Sequence, residues 1–197
     1  MLKKPRPLKG KVVPIVQAGD AVLREAALPV DVSVIGTPDF ESLIDSMIET
    51  MRDAPGVGLA APQIGVSLQV AVLEDRPETV EEMDSQDADQ VERAEVPLTV
   101  LINPTLEPVD GESGESEKVT FYEGCLSVSG WAAMTPRSYR VKVRALGRNG
   151  EPIELDWKGW PARILQHELD HLAGTLYIDR MDSRTFTTTE YSHSSEE

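Results

Sequence analysis

GWPARILQHELDHLAG, residues 159–174, is the stretch on which the fold reading turns. Pro161 suits the first turn of a helix, and Gly174 is a stop signal, so the stretch predicts a helix running to about Ala173. His167 and His171 stand four residues apart on it, which puts both imidazoles on one face, able to grip one metal ion. Leu165, Leu169 and Leu172 form an apolar stripe beside that face, so an exposed helix with two incidental histidines is the poorer reading. Glu168 follows the first histidine directly. Its carboxylate can reach a metal-bound water without taking a coordination position, the arrangement in which a metal acidifies water and a carboxylate takes and later returns its proton.

Outward from this helix, the pattern is mixed. Phe40, Leu43, Ile44, Met47, Ile48 and Met51 recur with the spacing of one buried helical face, and Thr37 and Pro38 suit its N-cap and first position. Pro55 and Gly56 end that helix. Strands are expected at Val12–Val16 (an edge, given Pro14), 68–74, 98–103, Lys118–Tyr122, Tyr139–Leu146, Pro152–Trp157 and the short run LYID at 176–179. Asn149–Gly150 signals a hairpin between two of them. Residues 74–97 hold ten Asp/Glu and two Arg and read as a solvated insertion loop; the polar tail from 187 to 197 reads as mobile. No repeat or linker divides the chain. The expected architecture is a single α+β domain, mostly antiparallel sheet around a central helix that binds metal.

Composition narrows the function classes. In 197 residues, 34 acids against 19 Lys plus Arg leave a formal net charge of −15. That surface repels nucleic-acid phosphates and anionic lipid, so no DNA partner and no membrane association are expected. No apolar run approaches the roughly 20 residues of a membrane span. The start, MLKKPRPLKG, is basic without the apolar stretch of a secretory signal, and the single cysteine, Cys125, allows no intramolecular disulfide; a cytoplasmic setting is the expectation.

A catalytic HExxH metal site needs a third protein ligand. The next histidine, His193, lies in the polar tail, and the thiolate alternative is Cys125 in EGCLS, residues 123–127. Taken alone, one cysteine on a strand is more often a packed apolar side chain than a ligand. With HExxH it completes three ligands and leaves a fourth position open for water. A further segment, GVGLAAPQIG at 56–65, combines tight-turning glycines with small Ala60 and Ala61 and places the Gln63 carboxamide near such a site.

GVGLAAPQ, EGCLS and QHELDH, in this order and spacing, resemble the signature motifs of the peptide deformylases. The resemblance covers about residues 10–187, and the closing segment is similar to the branch with mitochondrial, plant organellar and some bacterial members. It implies removal of the N-formyl group from the initiator methionine of nascent polypeptides, with release of formate. It implies Cys125, His167 and His171 as ligands of one divalent ion, natively Fe²⁺ with Zn²⁺, Ni²⁺ or Co²⁺ as substitutes. It implies Glu168 as general acid/base, with the Gln63 side chain and the Leu126 backbone N–H stabilising the oxyanion. By motif position, Val57, Gly58, Gly124, Trp160 and Ile164 face the substrate, with Trp131 as a further wall candidate. Glu123 and Arg137 take the place of a supporting ion pair. Transient ribosome contact through Lys3, Lys4, Arg6 and Lys9, and a monomer or weak dimer, complete the expectations. A zinc peptidase leaves Cys125 and Gln63 unexplained, and a purely structural metal module wants a fourth ligand that the sequence does not offer.

Overall fold

The computed structural model describes residues 10–76, 92–111, 114 and 116–192. Its principal helices are α1, Pro38–Asp53, and α2, Gly159–Leu172, with a single turn, α3, at Thr189–Ser192. The strands are β1 Gly58–Ala60, β2 Val70–Asp75, β3 Val96–Pro108, β4 Lys118–Cys125, β5 Val128–Ser138, β6 Arg140–Leu146, β7 Pro152–Lys158 and β8 Thr187–Thr188. They form a five-stranded sheet in the order β1-β2-β3-β6-β7 and a three-stranded sheet in the order β4-β5-β8, with every named pairing antiparallel. The α+β expectation therefore stands.

The large sheet is buried on both faces at β1, β2 and the middle of β3, which is why residues 70–73 of β2 read as an unbroken apolar run, while β6 and β7 alternate with exposed positions. Val70 and Val72 join Val100 and Ile102 in packing against Phe40, Ile44, Met47 and Met51 of α1. Ala71 and Leu73, which point the other way, join Leu101, Val141 and Val143 against Ala162, Ile164 and Leu165 of α2. The opposite face of α2 is polar and bonds to the small sheet. The Gln166 carboxamide bridges the Ser138 N–H and carbonyl, at 2.9 and 2.8 Å. Arg163 donates to the carbonyls of Thr135 and Val119, at 3.0 and 2.7 Å. The helix is thus wedged between two sheets, by apolar packing on one side and hydrogen bonds on the other. It ends in a Schellman motif, with Thr175 N–H on Asp170 O at 2.9 Å and Gly174 N–H on His171 O at 3.2 Å. Gly174 sits at φ +73°, and a Cβ there would meet the Arg24 carbonyl carbon at 2.8 Å, so no other residue fits.

Four expectations need correction. Among the described residues Val12–Val16 pairs with no strand: Val13 N–H bonds the Thr50 hydroxyl at 3.0 Å and Val16 N–H the Gln63 carbonyl at 2.9 Å, so these two amides are spent on α1 and the turn after β1. LYID is a 3₁₀ turn over Tyr177–Asp179, because the Asp179 carboxylate accepts the Leu176 N–H at 2.8 Å and closes the backbone locally. The tail is ordered at its start: Thr187 and Thr188 pair with Ala132 and Trp131 of β5 and lead into α3. Thr37 occupies the N-cap position, but its hydroxyl donates to Val34 O at 2.6 Å and caps no amide. Residues 77–91 of the acidic insertion, 193–197 of the tail and 1–9 lie outside the described residues. Among the described residues no helix is long and apolar enough to cross a membrane.

Candidate active site

Cys125 is the last residue of β4, at a register shift: Gly124 pairs with Ala132, but Cys125 pairs with Val128. Such an irregularity re-aims a side chain, and here it turns the thiol towards α2. One ligand atom each from Cys125, His167 and His171 lie within 4.8 Å of one another. Cys125 Sγ is 3.3 Å from His171 Nε2. His167 Nδ1 is 3.1 Å from Glu123 Oε2, which leaves its Nε2 for the cluster. A sulfur and two imidazole nitrogens converging from a strand end and one helix face suit a single divalent ion.

Glu168 lies beside the cluster and is 3% exposed. Its Oε2 is buried with no protein partner among the described residues, and burial pushes its carboxyl up from 4.5 to about 7. A buried carboxyl with a free oxygen beside the cluster is placed to take and return a proton. Gly58 makes room for it: a Cβ at that position would stand 2.3 Å from Glu168 Oε1. Gln63, 1% exposed, accepts the Ala60 N–H on Oε1 at 2.8 Å. This orients the carboxamide so that Nε2 points at the Ser127 hydroxyl, at 3.4 Å, and at Cys125 Sγ, at 3.8 Å. The peptide after Leu126 is held at both ends, its carbonyl accepting from Gln17 Nε2 at 3.0 Å and the Ser127 N–H facing Cys125 Sγ at 3.4 Å.

Behind the cluster lies a buried charge network. Arg137 forks onto Glu123 with bonds of 2.9 and 2.8 Å and reaches Asp170 at 2.5 Å. Arg163 adds a bond to Glu123 at 2.6 Å, and Arg180 forks onto Asp170 at 2.7 and 2.8 Å. Burial opposes ionisation of Glu123, yet the Arg137 guanidinium and the His167 ring hold its carboxyl far below the usual range. Burial, above all, pushes His171 well below its ordinary value, towards the neutral form a metal requires.

The cluster opens onto a cleft of about 450 Å³. Gln63, Cys125, His167 and Glu168 line its floor, and Val57, Gly58, Gly124, Leu126, Trp160 and Ile164 its walls. Trp131 lines its mouth, 43% exposed and stacked on Phe186 at 4.9 Å between centroids. Of the expected residues, His171 and Arg137 stand behind that lining, both buried. The sequence reading passed over Gln17, Ser127, Arg163 and Asp170. Arg163 and Asp170 were findable, lying four residues before and three after His167 on the same helix.

A family model for polypeptide deformylase matches residues 12–187. A chloroplastic peptide deformylase 1A of Solanum lycopersicum is 46% identical over 89% of this chain, and peptide deformylase 1 of Streptomyces coelicolor 46% over 89%. The human mitochondrial peptide deformylase is 43% identical over 88% of this chain. The chain spans 62% of the tomato protein's length and 64% of that of its Arabidopsis thaliana counterpart, against 76% of the Streptomyces coelicolor and 69% of the human protein. A class I type b peptide deformylase from Acinetobacter baumannii, solved with Met-Ala-Ser bound, superposes with a TM-score of 0.74 at 34% identity, over 87% of this chain and all of that one. With the three motifs converging on one cleft and a match of this extent, the chain belongs to the polypeptide deformylase family.

Proposed function

We propose that this protein is a metal-dependent hydrolase that removes the N-formyl group from the initiator methionine of nascent polypeptides, yielding formate and a free amino terminus. The observation that carries the reading is the convergence in one cleft of a Cys/His/His cluster, a buried carboxyl raised to about 7 and an aimed carboxamide. Cys125, His167 and His171 would hold one divalent ion; the family resemblance favours Fe²⁺, with Zn²⁺, Ni²⁺ or Co²⁺ as substitutes. When bound, such an ion acidifies water and polarises a carbonyl.

The remaining chemistry belongs to the chain. Glu168 takes the proton of the attacking water on a carboxylate oxygen and delivers it to the departing amine nitrogen, a poor leaving group until protonated. Gln63 Nε2 and the Leu126 N–H donate to the former carbonyl oxygen as negative charge builds there. Val57, Gly124, Trp160 and Ile164 wall an apolar pocket for the methionine side chain. Val57 and Gly58 lead into β1, an edge of the large sheet, and Gly124 lies on β4, an edge of the small one. An extended peptide between them can pair its main chain with either edge, a recognition mode indifferent to later side chains. The Met-Ala-Ser complex of the Acinetobacter relative supports a peptide of this kind. Glu123 and Arg137 keep His167 in the tautomer that offers Nε2.

We further propose that residues 1–197 form one catalytic domain, acting in the cytoplasm as a monomer or weak dimer. Ribosome contact would be transient and use Lys3, Lys4, Arg6 and Lys9, which lie outside the described residues. Formate release from formyl-Met-Ala-Ser by anaerobically purified, iron-loaded protein, beside an acetyl-Met control, tests the reaction. Rapid formate release without acetate release is expected. Release of neither from folded, metal-loaded protein would overturn the reading.

A further inference from the structure

Trp160, a wall of the side-chain pocket, is held from behind by a buried charge pair. It is the second residue of α2, and the start of that helix has no side-chain cap. Its indole Nε1–H donates to Asp75 Oδ2 at 2.8 Å. Arg93 forks onto the same carboxylate, Nε to Oδ2 at 2.9 Å and Nη2 to Oδ1 at 3.1 Å, while its guanidinium carbon lies 5.0 Å from the Trp160 ring centroid. The Asp75 side chain is 0% exposed and that of Arg93 12%. Asp75 ends β2 just past its register shift against β3, a position that re-aims its side chain. A carboxylate this deep is tolerated only when paired, and the pairing here immobilises an indole. Arg93 and Trp160 line the cleft together with Ile164.

We propose that Asp75 and Arg93 form a clamp that sets the position of the Trp160 ring and, through it, the side-chain selectivity of the pocket. The inference rests on the reading of the cleft as a site for methionyl peptides. Asp75 is a positioning residue: it acts through Trp160. One methylene of fit in an apolar pocket is worth roughly 10–200-fold in discrimination, so a ring free to shift by a fraction of a bond length relaxes the preference without touching the reacting atoms.

The test uses metal-loaded full-length protein carrying Asp75→Asn, Trp160→Phe, or both. Asparagine keeps the size but presents an NH₂ to either the indole or Arg93; phenylalanine keeps an aromatic wall and lacks the donor. Three readouts are taken. They are kcat and KM for formyl-Met-Ala-Ser and formyl-Phe-Ala-Ser, the Kd of unformylated Met-Ala-Ser by calorimetry, and hydrogen exchange of the Trp160 indole N–H. Asp75→Asn is expected to raise KM for the methionyl substrate about 10-fold with kcat near that of the wild type. The Met-over-Phe preference should shrink about 10-fold and indole exchange should accelerate. The double variant should be no worse than the more impaired single one, because both act through one contact. Additive losses, or a fall in kcat with the Met-over-Phe ratio intact, would overturn the clamp. If Asp75→Asn does not fold, Arg93→Lys takes its place, keeping a cation but losing the fork onto Asp75; unchanged indole exchange with an intact Met-over-Phe ratio then overturns the clamp. Should the wild type release no formate, the reaction reading falls by itself. The clamp then stands on an approximately 10-fold weaker Kd for Met-Ala-Ser and faster indole exchange, and is overturned if either is unchanged.

Discussion

Replacing Glu168 by Gln separates its cost to the fold from its service to the reaction. The carboxyl is 3% exposed, one of its oxygens has no partner among the described residues, and burial lifts its pKa from 4.5 to about 7. Between those values the folded state holds a proton that the unfolded chain releases, so stability falls as pH rises through the window. The group's favourable contribution is complete below pH 4.5 and gone above about pH 7. At ~1.4 kcal/mol for each tenfold change in proton affinity, the span amounts to about 3 kcal/mol, of which about 2–3 kcal/mol falls between pH 5 and 8. Glutamine has the same shape and no charge. The unfolding free energy of metal-free Glu168→Gln, relative to the wild type, should therefore rise by about 2–3 kcal/mol from pH 5 to pH 8. Urea denaturation at several pH values measures this, on metal-free protein because a neighbouring dication favours the ionised carboxylate. In the metal-loaded state the same variant should keep its metal and lose formate release by at least about 10²–10⁴-fold. Parallel stability profiles for the two proteins would refute the burial argument, and near-normal turnover would remove Glu168 from the chemistry.

Other substitutions probe the surrounding geometry. Gln63→Leu should lower kcat by about 10²–10³ with a smaller change in KM; the reverse split in steady-state kinetics would make Gln63 a substrate-binding group. Arg137→Ala removes the cation shared by Glu123 and Asp170, which keep Arg163 and Arg180 as partners, and should cost about 1–3 kcal/mol by denaturant titration. It should also loosen metal binding, and an unchanged melting temperature and metal content would end its supporting role. Gly58→Ala drives a Cβ to 2.3 Å from Glu168 Oε1. That overpacking should cost about 1–3 kcal/mol, and kcat should fall further than the stability loss explains as Glu168 is displaced.

Much of the site was legible because its chemistry is local. His167, Glu168 and His171 owe their common face to helical spacing alone, and Leu165 and Gly174 announce where that helix packs and stops. The apolar spacing of Phe40 to Met51 located α1 as surely. Strand identity was weaker wherever side chains settled the backbone. At 176–179 the Asp179 carboxylate closes a turn in a segment whose apolar content suggests a strand. At 12–16, Thr50 and Gln63 supply the acceptors that a neighbouring strand would otherwise have offered. β5 escapes a reading from pattern because Gly130 and Pro136 interrupt it, and its strand form rests on pairing with β4 on one side and β8 on the other.

By itself, the sequence determined the helix that carries two metal ligands and the proton shuttle, the mixed architecture and the motif set that marks the family. These depend on residue type and short-range periodicity, which the chain states directly. Only the tertiary structure decided that Cys125 turns towards α2, since that follows from a register shift between β4 and β5. It also decided that Arg163 and Asp170 complete the support of Glu123 and Arg137, and that Asp75 and Arg93 close on Trp160 across 85 positions of sequence. Such contacts are selected by how two sheets seat one helix, and no local pattern encodes a distance between residues so far apart in the chain.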